Sequence, residues 1–277
     1  MYYKILTGII AICLLATTTT NTIQAQHSEI GLWVGSATYF GDLNPDYDFL
    51  QTRPAIGALY RYTVSDYVVV KAGLAYGNIK YHDNLSNNPY QSLRNLSFKS
   101  SIWELSGQLD LHFKKYIIGN SKYSFTPYLT SGLAIFRFNP KTKFQDEWYT
   151  LNEIGTEGQL NEDFTGNKKY PLIQMAIPLG LGVKYWMNNG WNFYVEAAYR
   201  KTFTDYIDDV STVYMDSYLL GDGSITSELY DRSDEITDVP IGIEGKQRGF
   251  SNTNDGYMML NVGITYTLFN RQCPRSF

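Results

Sequence analysis

The stretch PLIQMAIPLGLGVKYWM, residues 171–187, decides the fold. Its odd positions are Ile173, Met175, Ile177, Leu179, Leu181, Val183, Tyr185 and Met187, while its even positions include Gln174, Ala176, Gly180, Gly182 and Lys184. A period of two sends successive side chains to opposite faces of a β-strand, here one apolar face and one polar or small. A second run repeats the pattern. From Ser101 to Phe113, Trp103, Leu105, Leu109, Leu111 and Phe113 alternate with Glu104, Ser106, Gln108, Asp110 and His112. Both runs exceed the roughly five to six residues usual for a strand in a soluble sheet.

Six further segments fit the same reading: Glu29–Phe40, Pro54–Val64, Tyr67–Asn78, Tyr123–Phe138, Trp191–Thr204 and Tyr257–Phe269. In Tyr123–Phe138 both faces carry apolar residues, so its pattern is the least clean. The connections sort by length. Gly41–Arg53, Ile79–Ser100, Asn139–Tyr170 and Asp205–Gly256 are long, whereas Ser65-Asp66, Lys114–Lys122 and Asn188–Gly190 are short. Such sorting is expected when every second connection lies on the same side of a membrane. Periodicity alone leaves the inner face open, because a lipocalin-like soluble barrel alternates too, and so does a β-sandwich with shorter strands. Three features favour lipid outside: an export signal, strands near the roughly 9–11 residues a tilted span needs, and aromatics at strand ends. Trp103, Phe113, Tyr185, Trp191, Phe193, Tyr257 and Phe269 would form the interfacial girdle. The expected fold is all-β: an eight-stranded antiparallel up-and-down transmembrane β-barrel, with short periplasmic turns and long extracellular loops.

Composition narrows the class. Aromatics make up 16% of the 277 residues and charged residues 18%, with a mean hydropathy of −0.27. Disordered chains are aromatic-poor and charge-rich, so disorder is excluded. The longest apolar run, Ile5–Ala16, is too short to span a bilayer as a helix. Net charge is −4 and no basic stripe is present, which argues against a nucleic-acid partner. Lys4, the apolar Ile5–Ala16 and the polar Thr17–Gln26 read as a signal peptide over 1–25, leaving a barrel domain over 26–277 destined for the outer membrane. Cys13 and Cys273 make no disulfide framework.

In so narrow a barrel Lys71, Glu104, Asp110, Lys184, Glu196 and Arg200 would point inwards as a charge-compensated plug rather than a conduction path. No catalytic, cofactor or metal site emerges. His27, His82 and His112 lack metal-ligand spacing, and no Ser–His arrangement marks a lipid hydrolase. Asp205, Asp208, Asp209, Asp216, Asp222, Asp231, Asp234, Glu235 and Asp238 lack the regular spacing of a calcium loop and read as a solvated loop. Gly221–Ser224 is a turn signal. No small-molecule substrate is indicated. Lys114, Lys115 and Lys122 on a short turn, with Arg271 and Arg275 in the tail, form a basic inner rim that could dock an acidic periplasmic partner. Cys273 would sit in the same oxidising compartment, either bonded to a partner or as a free thiol.

Several segments also resemble a known family. Ser28-Glu29-Ile30-Gly31-Leu32 with Tyr39-Phe40-Gly41-Asp42-Leu43-Asn44-Pro45 is similar to the opening strand and first loop of the PorG-like (DUF6089) outer-membrane β-barrels of the Bacteroidota. Arg94-Asn95-Leu96-Ser97-Phe98, leading into Ile102-Trp103-Glu104-Leu105, resembles the entry to their fourth strand. Thr204-Asp205-Tyr206-Ile207-Asp208-Asp209-Val210-Ser211, Gln247-Arg248-Gly249-Phe250-Ser251 and Asn254-Asp255-Gly256-Tyr257 resemble their last loop and the approach to the closing strand. The resemblance implies an eight-stranded outer-membrane barrel. It further implies a component of the type IX secretion and gliding machinery, associated with periplasmic GldK- and GldN-like ring proteins. A surface barrel binding a ligand or matrix through its long loops is the alternative, with an outer-membrane lipid-modifying enzyme a distant third.

Overall fold

The computed structural model describes residues 27–160, 168–216 and 223–268. The expected signal peptide lies outside them, as do Asp222, Phe269, Arg271, Cys273 and Arg275. The strands are β1 (Ser28–Phe40), β2 (Arg53–Thr63), β3 (Val68–His82), β4 (Ser97–His112), β5 (Phe125–Arg137), β6 (Lys141–Phe144), β7 (Glu147–Thr150), β8 (Ile173–Asn188), β9 (Trp191–Thr202) and β10 (Gly256–Leu268). All but β6 and β7 form a ring of antiparallel neighbours. β1 pairs with β10 from Ser28↔Leu268 to Phe40↔Gly256, and β3 pairs with β4 from Val68↔Leu111 to His82↔Ser97. These pairings, with β5 joined to β8, close an eight-stranded barrel with no free edge.

Closure settles which face is inside. Along β4, Glu104, Ser106, Gln108, Asp110 and His112 are buried while Trp103, Leu105, Leu109 and Leu111 are exposed. The polar half of the alternation therefore fills the lumen, and the apolar half forms an outer belt with residues such as Leu32 at 67% and Leu181 at 60% exposure. Water penalises a continuous apolar belt of this kind, whereas hydrocarbon does not. Among the described residues no helix is long and apolar enough to cross a membrane.

Short connections turn tightly at one end. Asn189 (φ 48°) and Gly190 (φ 84°) make the two-residue link between β8 and β9, both in the left-handed region such a hairpin needs. At the other end the long connections are folded. β3 and β4 continue through Ile79–His82 and Ser97–Ser100, which sequence reading assigned to a loop. β6 and β7 make a hairpin joined to β4 at Lys99↔Lys141. Short helices follow: α1 (Pro89–Arg94), capped by the Asn88 side chain, α2 (Leu151–Ile154) and α3 (Ile225–Tyr230). Here an ordinary apolar core takes over from the polar lumen, with Leu43, Ile79, Phe98, Phe138, Leu151, Ile207 and Leu229 packed together.

One girdle assignment is corrected. Tyr257 is fully buried and points into the barrel, where its hydroxyl donates to Glu104 at 2.7 Å. Sequence reading placed it outside because it stands at a strand end. The register sends its neighbours Met258 and Leu260 outwards instead. Trp103, Phe113, Tyr185, Trp191 and Phe193 do face outwards.

Candidate functional site

The lumen is filled by three ionic layers. Nearest the short turns, Lys184 of β8 meets Glu29 of β1 at 2.5 Å, and Thr265 donates to the second Glu29 oxygen at 2.6 Å. In the middle, Lys71 of β3 bridges Glu196 of β9 at 2.6 Å and Asp110 of β4 at 3.1 Å. Arg61 of β2 lies 3.2 Å from the other Asp110 oxygen, and its guanidinium sits 4.3 Å from the Tyr194 ring centre. Tyr128 donates to Glu196 at 2.9 Å and accepts from Arg61 at 3.1 Å. Gly182 leaves room for the Tyr128 ring, since a Cβ there would fall 2.3 Å from its Cζ. Towards the long loops, Arg200 forks onto both oxygens of Glu104 at 3.1 and 3.3 Å.

Four cations, Arg61, Lys71, Lys184 and Arg200, thus face four anions, Glu29, Glu104, Asp110 and Glu196. Each buried charge has an opposite neighbour, the condition under which such charges are tolerated. The hollow between the middle and upper layers measures about 20 Å³, room for roughly one water. Lys71, Glu104, Asp110, Lys184, Glu196 and Arg200 all lie in this network. Sequence reading missed Arg61 and Glu29. Arg61 shares its face with Ala55, which is buried, so the alternation of β2 could have revealed it. Glu29 stands second in the first strand, where the repeat is barely established.

Above the ionic layers, Phe136, Phe138, Tyr170 and Tyr206 form an aromatic column, and Tyr170 and Tyr206 stack with ring centres 4.6 Å apart. The long loops close over it as a cap. Here the solvated-loop reading of the acidic segment fails: Asp205, Asp208 and Asp209 are buried. Asp216, Asp234, Glu235 and Asp238 are exposed, as that reading expects. The Tyr39 hydroxyl lies against Asp208 and donates to Asp255 at 3.0 Å. Asp209 accepts from Thr156 and from the Tyr170 hydroxyl, both at 2.5 Å. Arg248 joins Glu157 at 2.8 Å, and Arg94 forks onto Asp83 at 2.7 and 2.9 Å.

Carboxyls outnumber nearby cations around Asp208. Burial, reinforced by Asp255, pushes the Asp205 carboxyl up to about 9. Burial also raises Asp208 and Asp255, each further raised by acidic neighbours. For Asp209 burial outweighs Arg248 and the Thr156 hydroxyl, giving about 7. One phenol proton cannot serve two carboxylates, so protonation completes the Tyr39 cluster. No group of His, Cys, Asp and Glu among the described residues is arranged to hold a metal ion.

The basic turn stays at the surface. Lys114 and Lys122 are exposed, and Lys115 pairs with Asp66 at 2.9 Å. Its counterparts in the tail, Arg271, Cys273 and Arg275, lie outside the described residues. His82 caps a short turn by accepting from the Asn84 amide, and His112 lies against the Tyr116 and Tyr128 rings.

Among solved structures, the chain is similar to the N-terminal β-barrel domain of Pseudomonas aeruginosa OprF, at 14% identity over 88% of this chain and 100% of that one, with a TM-score of 0.37. It is similar to the attachment invasion locus protein Ail of Yersinia pestis in complex with the heparin analogue sucrose octasulfate, at 7% identity over 88% and 100%, with a TM-score of 0.43. It is also similar to Neisserial surface protein A, at 10% identity over 88% and 98%, with a TM-score of 0.38. Likeness this distant carries nothing about function. No curated protein matches the sequence. The model of a domain of unknown function, DUF6089, matches residues 4–231. That span covers most of the 277 residues, and the chain belongs to the DUF6089 family.

Proposed function

We propose that the protein is a non-enzymatic barrel of the bacterial outer membrane that anchors or organises an envelope assembly. The observation that carries this reading is the lumen, shut by paired charges and capped by folded loops, which suits a scaffold better than a conduit. The apolar belt supports a lipid environment, and a signal peptide over 1–25 would deliver the chain there. The resemblance to PorG-like barrels of the Bacteroidota directs the proposal to type IX secretion and gliding. On that view GldK- and GldN-like ring proteins dock on the periplasmic rim, through Lys114, Lys115 and Lys122 with Arg271, Cys273 and Arg275 of the tail. Deleting the gene should abolish export of type IX cargo, and affinity purification of the barrel should recover ring proteins. Normal cargo export in the deletion strain sinks the secretion role. A second reading, a surface barrel that binds a ligand through its outer loops, is favoured by a hollow of about 410 Å³ among those loops.

A further inference from the structure

The hollow of about 410 Å³ lies where the loop after β1, the segment around α1 and the approach to β10 converge. This size falls within the roughly 300–1,000 Å³ typical of small-molecule sites. Five aromatic rings line its wall: Phe40, Tyr47, Tyr90, Tyr199 and Phe250. Phe40 is buried, with the rings of Tyr47 and Tyr199 centred 5.2 and 6.2 Å from it. Tyr47 is 65% exposed and has φ 57°, a conformation that side-chain-bearing residues rarely adopt. Its loop is held by buried Asn44, which donates to the Tyr39 and Asp48 carbonyls and accepts from the Asp48 amide.

Charge decides what such a ring-lined hollow can hold. Arg94 and Arg248 reach its wall and at first suggest an anion site. Both are already engaged. Arg94 is forked onto Asp83 and donates to the Arg248 and Asp42 carbonyls, while Arg248 is paired with Glu157 and donates to the Tyr230 and Asp209 carbonyls. Asp42 differs. One of its oxygens accepts from the Phe250 amide at 2.8 Å, and the other has no hydrogen-bond partner among the described residues. The wall therefore offers several π-systems and one carboxylate that burial holds up at about 6 despite Arg94 and Arg248 nearby, a combination that favours an added organic cation.

We propose that this hollow binds an organic cation, a quaternary alkylammonium group held among the rings of Tyr47, Tyr199 and Phe250 and against the open oxygen of Asp42. Such a group loses little on leaving water, because its charge is spread and its surface is apolar. The ring quadrupoles and the carboxylate replace its hydration. A neutral sugar could stack on the same rings and donate a hydroxyl to Asp42, but it brings no charge to balance the carboxylate. Binding here does not depend on the anchoring role.

The test is calorimetric titration of the full barrel, purified in a detergent without a choline headgroup, with choline chloride and separately with glucose. Saturable choline binding in the millimolar range, with no glucose binding, is the expected result. Asp42→Asn keeps an acceptor for the Phe250 amide while removing the charge, and should weaken choline by about tenfold. Tyr47→Ala should weaken it by about threefold or more. Both variants are first checked for heat-modifiable migration on electrophoresis. Absence of choline binding to the parent overturns the proposal. Equal binding of glucose, or Asp42→Asn binding choline as tightly as the parent, does so too.

Discussion

The membrane-spanning barrel and the cap above it follow opposite rules. In the barrel, Leu105 and Leu181 face outwards while Glu104, Asp110 and Lys184 are buried. In the cap, Leu43, Leu151 and Ile207 are buried, and Asp216, Asp234 and Asp238 face out. The two regions also tolerate buried carboxyls differently. Lumen carboxylates are matched by cations, whereas Asp205, Asp208 and Asp255 in the cap are raised by burial and by neighbouring acids, Asp42 acting on all three. The first difference fits an outer belt suited to hydrocarbon and a cap suited to water. The supply of cations sets the second.

The largest test of this contrast removes one lumen cation. Lys71→Met leaves Asp110 and Glu196 short of a partner and should destabilise the barrel by about 3–5 kcal/mol. Urea unfolding in lipid vesicles measures the loss, and adding Asp110→Asn should restore part of it. An unchanged midpoint for Lys71→Met would mean that pairing is not what holds the lumen. A steric test comes next. Gly182→Val should push Tyr128 off Glu196 and cost about 1–3 kcal/mol in the same assay. In the cap, Tyr39→Phe removes the hydroxyl that lies between Asp208 and Asp255, costing about 1–2 kcal/mol. That loss should appear as faster amide exchange in the loops, with the barrel strands unchanged.

Acidity separates the regions further. Asp209 at about 7 and Asp205 at about 9 both lie above the value of roughly 4 for an unfolded carboxyl. The folded cap therefore binds more protons than the unfolded chain across that window. Its stabilisation is complete at the acidic end and is lost as pH rises through about 7 and then about 9. Amide exchange around residues 204–211 should accelerate from pH 5 to pH 9 after correction for intrinsic rates, and Asp205→Asn should flatten the upper part of that rise. The smallest effect belongs to the rim. Lys115→Ala removes a half-exposed pair with Asp66 and a contact over the Tyr123 ring, and should leave unfolding nearly unchanged. Weaker recovery of ring proteins by this variant would assign the lysine to partner binding.

Legibility followed the range of the interactions involved. The alternations of Ser101–Phe113 and Pro171–Met187 exposed β4 and β8 and three of the lumen charges, Glu104, Asp110 and Lys184, because strand periodicity is written in adjacent residues. Arg61 escaped because Gly57 and Leu59 share its face of β2 and blur the polar half of the alternation. The acidic loop was misread for a different reason. Composition reports that Asp208 is polar, but its burial depends on Tyr39, which lies 169 positions away in sequence. The hollow beside Asp42 was equally hidden, because its wall draws on Tyr47, Tyr90, Tyr199 and Phe250, from four separate segments.

By itself the sequence determined where the strands run, that two kinds of face alternate along them, and which connections are long. Those properties follow from local backbone geometry, which turns every side chain over at each step. Only the tertiary structure decided that the polar face turns inwards, that lumen charges match one for one, and that the long loops bury their own acids beneath a second core. Ring closure, charge pairing and loop burial each join residues far apart in the chain. No local pattern encodes those distances.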